Sequence, residues 1–112
     1  MKVETRLVDG IRIMNLIGKL DSSTAPMAHE RMMYIADIPA TQVVLNLDQL
    51  EYVSSAGLRS ILMMGRRLKQ SGGKFNICQA REVVKEVLET SGVGEIVDVF
   101  ESLDEARGAL VE

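Results

Sequence analysis

The chain is poor in the side chains that build most enzyme active sites. Its 112 residues include one histidine, His29, and one cysteine, Cys78. A lone cysteine excludes an internal disulfide and a cysteine-built zinc site, and a reducing compartment, the cytoplasm, is the expected one. No metal or cofactor is expected. The formal charge is -3, so the basic footprint of a general nucleic-acid binder is missing. No stretch approaches the ~20 consecutive apolar residues of a membrane span. Met1 to Val8 alternates charged and apolar residues with no apolar run behind it, so no secretory leader is expected. There is no internal repeat, no low-complexity tract and no Pro/Gly/Ser-rich linker. What remains is 46% apolar and 26% charged, the composition of a globular chain, and its length suits one domain spanning 1–112.

The apolar pattern predicts alternating strands and helices. Lys2 to Val8 alternates as a half-buried strand. Asp9-Gly10 is a hairpin turn signal, because both positions must tolerate positive φ, and a more deeply buried strand follows from Ile11 to Ile17, ended by Gly18. Candidate N-caps at Asp21 to Thr24 and Pro26 in the first turn open a helix over Ala25 to Ala36. Val43 to Leu47 is short, β-branched and almost continuously apolar, as expected of a strand covered on both faces. A helix starts near Ser54 to Ala56, with Leu58, Ile61, Leu62, Gly65 and Leu68 as its apolar stripe, and ends at Gly72-Gly73. Lys74 to Cys78 reads as a strand, with Cys78 as inert core. Arg81 to Thr90 reads as a helix with Val83, Val84, Val87 and Leu88 inward. Ile96 to Phe100 is a short strand, and Ser102 to Glu105 a capping box that opens the last helix. The fold class is therefore α/β: a mixed, mainly parallel sheet of four to five strands with about four helices and an opening β-hairpin.

Catalytic patterns fail at specific positions. A nucleophile elbow around Ser55 would need glycine two residues earlier, where Val53 stands. A phosphate loop at Gly72-Gly73-Lys74 would need glycine at Leu68 and a hydroxyl at Phe75. A small hydrolase built on Ser55 has only His29 as base, and His29 reads as a surface histidine. No catalytic residue is assigned.

The informative stretch runs from Leu45 to Arg59, where a buried strand leads through a loop to two serines at a helix start. The bland reading is that one serine is an N-cap. The alternative is a modifiable hydroxyl, because free N–H groups and the positive end of the helix dipole stabilise a phosphate there. On a wheel of about 100° per residue, Ser55, Arg59, Met63 and Arg66 fall beside the apolar stripe. An exposed, adaptable Met63 among Arg59, Arg66 and Arg67 suits a protein-binding patch; its plain alternative is a solvated helix face.

Four strings in order resemble one family over essentially the whole chain. Gly18-Lys19-Leu20-Asp21-Ser22-Ser23-Thr24-Ala25 is similar to a G-x-L-D-x-x-T-A loop. Val44 to Leu47 is similar to a central strand. Tyr52-Val53-Ser54-Ser55-Ala56-Gly57-Leu58 resembles a phosphorylation loop often written D-S-S/T/A-G-L. Thr90-Ser91-Gly92-Val93 resembles the end of a third helix. The family is the STAS domain, specifically bacterial anti-sigma factor antagonists. The resemblance implies Ser55 as phosphoacceptor, with Ser54 in the place of the usual aspartate and Ala56 where some members have a second hydroxyl. It implies a partner surface around Asp21, Ser54, Ala56 and Gly57. It further implies a partner that is an anti-sigma factor or GHKL-type serine kinase, a metal-dependent serine phosphatase that resets the protein, and release of the partner on phosphorylation. A non-switching scaffold or docking subunit is the alternative within the family. The charged helix faces favour a monomer when no partner is bound.

Overall fold

The computed structural model describes residues 1–111. Strands β1 (Lys2–Val8) and β2 (Ile11–Leu20) form an antiparallel hairpin with Val8 opposite Ile11. Its turn residues, Asp9 and Gly10, have φ of 50° and 80°, the mirror-image turn that matches the twist of paired strands. The chain continues through α1 (Ala25–Ala36), β3 (Gln42–Asn46), β4 (Leu50–Val53), α2 (Ser55–Gln70), β5 (Lys74–Cys78) and α3 (Glu82–Thr90). A 3-10 turn at Val93–Glu95, β6 (Asp98–Phe100) and α4 (Leu103–Gly108) complete it.

The sheet runs β1-β2-β3-β5-β6, with β4 paired to the end of β2. Among the described residues only β1–β2 is antiparallel; β2–β3, β2–β4, β3–β5 and β5–β6 are parallel. Helices α1, α2 and α3 share one continuous core with one face of the sheet. On the other face Ile11, Ile13, Val44 and Cys78 are met by Ala106 of α4 and by Leu110. This double cover explains the unbroken apolar run in β3: Val43 and Leu45 enter the large core, while Val44 enters the small one. Cys78 is buried there as expected. Burial, with a smaller contribution from the Asp48 charge, pushes its thiol up to about 11, which keeps it protonated and unreactive.

Four details differ from the expectation. The sheet has six strands instead of four or five. The extra one, β4, lacks strict alternation, since Leu50 and Val53 are buried but Glu51 and Tyr52 are exposed. It forms because β2 does not end at Gly18. A register shift between Gly18 and Lys19 carries β2 on to Leu20, which lies opposite Val53. The last strand starts at Asp98 and not at Ile96, because the N–H groups of Ile96 and Val97 both turn back to the Val93 carbonyl. Ile96 is consequently exposed. Val83 is 57% exposed, so α3 presents a narrower apolar stripe than expected, centred on Val84 and Leu88. In α2 the fully buried stripe is Ile61, Met64 and Leu68, with Leu58 and Leu62 at its margin.

Candidate functional site

The site is where the end of β2, the following loop and the start of α2 meet. Asp21 organises the loop. Its Oδ1 accepts from the N–H and hydroxyl of Ser23 at 2.9 and 2.7 Å and from the N–H of Thr24 at 3.1 Å. Thr24 Oγ1 in turn donates to the Lys19 carbonyl at 2.8 Å and accepts from the Asp21 N–H at 2.9 Å. The Ser23 hydroxyl, then the Thr24 and Ser23 N–H groups, hold the Asp21 carboxyl below its ordinary value, because each stabilises the ionised form. Asp21 therefore shapes this surface through its own turn.

The start of α2 is fastened to the same place. The Ser54 N–H donates to the Leu20 carbonyl at 2.8 Å. Ser54 is the N-cap, with extended backbone, and its Oγ accepts from the Gly57 N–H at 3.2 Å. Gly57 is buried, and a Cβ there would lie 2.5 Å from Leu20 Cγ, so only glycine lets the helix sit this close to the strand. Ser55 begins the helix. It is exposed, and its hydroxyl has no hydrogen-bond partner among the described residues. The two serines thus divide the alternatives left open by the sequence: Ser54 is the cap and Ser55 is free.

Beyond the serines, α1 and α2 enclose an open groove of about 250 Å³. Pro26 and His29 line one wall; Ala56, Arg59, Ser60 and Met63 line the other. Arg59 is exposed, and Met63 is 37% exposed. Arg66 is exposed but stands farther along α2, on the rim of a second hollow with Lys69, Phe75 and Glu95. Arg67 is drawn off the patch by Asp37, 2.9 Å away at the end of α1. The structure therefore brings Ser54, Ser55, Ala56, Gly57, Arg59 and Met63 together with the Asp21 loop and leaves Arg66 about two turns beyond Arg59 on the same helix.

Sequence reasoning placed His29 on the surface and did not single out Ser60; the contact between them is what it missed. His29 is half-buried in the groove and not on the outer surface, with Nδ1 3.1 Å from Ser60 Oγ. Ser60 is 5% exposed and also reaches the Ala56 carbonyl at 3.4 Å. The hydrolase alternative required His29 to serve Ser55; its Nδ1 is turned to Ser60 instead. No signal in either residue alone reveals this pairing, since it depends on how α1 docks against α2. Among the described residues, no three His, Cys, Asp or Glu side chains form a metal-binding group, and no helix is long and apolar enough to cross a membrane.

The STAS domain family model matches residues 2–106. BtrV of Bordetella bronchiseptica, provisionally named an anti-sigma factor antagonist, is 35% identical over 109 residues, spanning 97% of this chain and 94% of that protein. A Thermotoga maritima structure, also provisionally described as an anti-sigma factor antagonist, superposes with a TM-score of 0.90 at 21% identity, covering 96% of this chain and 93% of that one. The phosphorylated form of the Bacillus cell fate determinant SpoIIAA superposes with a TM-score of 0.74 at 18% identity, covering 98% of this chain and all of that one (100%). At these identities the two structures speak for the fold.

Proposed function

The chain belongs to the STAS domain family, and from that membership we propose that it is an anti-sigma factor antagonist whose docking is switched by phosphorylation of Ser55. The observation that carries this reading is the unengaged, exposed Ser55 hydroxyl at the start of α2, beside the groove between α1 and α2. Ser54 is the poorer acceptor because its oxygen already caps the helix.

In the unphosphorylated state the surface formed by the Asp21 loop, Ala56, Gly57, Arg59 and Met63 binds an anti-sigma factor of the GHKL serine kinase type. The kinase transfers the γ-phosphoryl group of ATP to Ser55 Oγ; ADP leaves, and the hydroxyl proton passes to a base on the kinase. A metal-dependent phosphatase returns Ser55 by hydrolysis. The phosphoryl group adds about -1.5 to -2 charge. Placing it in a dehydrated contact costs several kcal/mol, enough to lower affinity ~10²-fold or more. No rearrangement of the fold is needed. The setting is cytoplasmic, where ATP is available, and the free protein is monomeric.

The test uses the purified chain and its cognate kinase. Ser55→Asp lowers affinity for the kinase at least ~10²-fold by calorimetry, whereas Ser55→Ala binds but gains no phosphate by mass spectrometry. Unchanged affinity of Ser55→Asp, or label on Ser54 with none on Ser55, overturns the reading.

A further inference from the structure

We propose that Arg59 of the same chain holds the phosphoryl group on Ser55, so that modification adds a dianion to the docking face and at the same time withdraws its free cation. This deepens the reading above and rests on Ser55 being the acceptor.

Three observations converge on Arg59. Arg59 stands four positions after Ser55 in α2, the spacing at which helical side chains become neighbours. Side chains on a helix lean toward its N-terminus, a direction in which the long Arg59 side chain can reach the turn that carries Ser55. Second, Arg59 is exposed and holds no partner among the described residues, whereas Arg67 is paired with Asp37, Arg81 with the Asp48 carbonyl and Arg107 with Asp9. Third, among the described residues no carboxylate lines the groove wall shared by Arg59; the titratable group facing it from α1 is His29, whose Nδ1 is turned to Ser60. From Ser55 to Gln70 the helix has Arg59, Arg66, Arg67 and Lys69 and no acidic residue. The carboxylate of the adjoining loop, Asp21, is occupied by Ser23 and Thr24. A guanidinium left free one turn from an acceptor hydroxyl is suited to receive two phosphoryl oxygens side by side.

The pairing predicts a measurable shift in the phosphoryl group itself. A neighbouring cation favours the dianion and so lowers the second ionisation, which ordinarily falls near pH ~6. The full chain with phosphoserine encoded at position 55 is titrated by phosphorus NMR as wild type, Arg59→Gln and Arg66→Gln. The kinase is not required. The expected midpoint in Arg59→Gln lies roughly 0.3 to 0.5 pH units above wild type, a modest shift because the pair is solvent-exposed. Arg66→Gln titrates as wild type. Identical titration of wild type and Arg59→Gln overturns the proposal. An equal shift in Arg66→Gln also overturns it, because the effect would then belong to the general field of α2. Persistent kinase binding by Ser55→Asp would instead end the docking reading while leaving this titration unaffected.

Discussion

A methyl group at Gly57 would lie 2.5 Å from Leu20 Cγ, 2.8 Å from its Cδ2 and 3.1 Å from its carbonyl oxygen. Since Leu20 has no exposed surface, its side chain cannot swing into solvent to make room. Gly57→Ala is expected to destabilise the protein by about 1–3 kcal/mol through overpacking, read as a lower Tm in thermal unfolding. Asp21 offers a test without mutating the helix. Its carboxyl is held below the ordinary value of 3.8, so the bonds that order its turn persist above that pH and are lost as the pH falls through the depressed value. Titration of the Asp21 carboxyl carbon by NMR should give a midpoint below 3.8, and Ser23→Ala should raise it, since the Ser23 hydroxyl is the largest cause of the shift. At this scale the sequence is legible wherever chemistry is local. Arg59 and Ser55 share one helix, so spacing alone sets them beside the same apolar stripe, whereas Asp21 and the choice of Ser55 over Ser54 are expectations from the family resemblance. His29 and Ser60, 31 residues apart, meet only because two helices pack together, and neither string contains that information.

Helix α4 spans only Leu103–Gly108, yet it is the element that covers Cys78 on the second face of the sheet. Its start depends on Ser102, whose Oγ accepts from the Glu105 N–H at 3.1 Å. Loss of such a cap costs about 1 kcal/mol, and in so short a helix that cost falls on local opening. Ser102→Ala should therefore speed labelling of Cys78 by a thiol reagent several-fold while the far-ultraviolet dichroism stays nearly constant. An unchanged labelling rate would show that Cys78 is reached by another route. The capping box was readable because its residues are neighbours in sequence, as was the helix span Ala25–Ala36. β4 was not, because it depends on a non-local partner: its pattern is irregular, and it becomes a strand only where β2, shifted in register past Gly18, offers an edge to pair with. Val83 marks the same limit. Periodicity shows which residues share a face, but the width of that face is set by what packs against it.

Across the whole molecule, charge and layering are uneven. The net charge is -3, yet α2 has four basic residues (Arg59, Arg66, Arg67, Lys69) and no acidic ones, while Glu95, Asp98, Glu101, Asp104 and Glu105 gather near the other end of the chain. Bulk composition shows only that a basic footprint is missing, and it averages away this separation. Because Ser55 is exposed and lies outside both cores, Ser55→Asp should unfold within about 4 °C of the wild-type Tm, with any shift upward because the new carboxylate sits at a helix start. A large drop would mean that the hydroxyl supports the fold. The close seating of Gly57 on Leu20 then limits what the molecule can say. A turn clamped that tightly to a sheet has no slack with which to tilt, retract or pass a strain onward. The message has to be legible from outside, like a seal on an envelope, and a distant surface of the same chain should remain unaware that it has been broken.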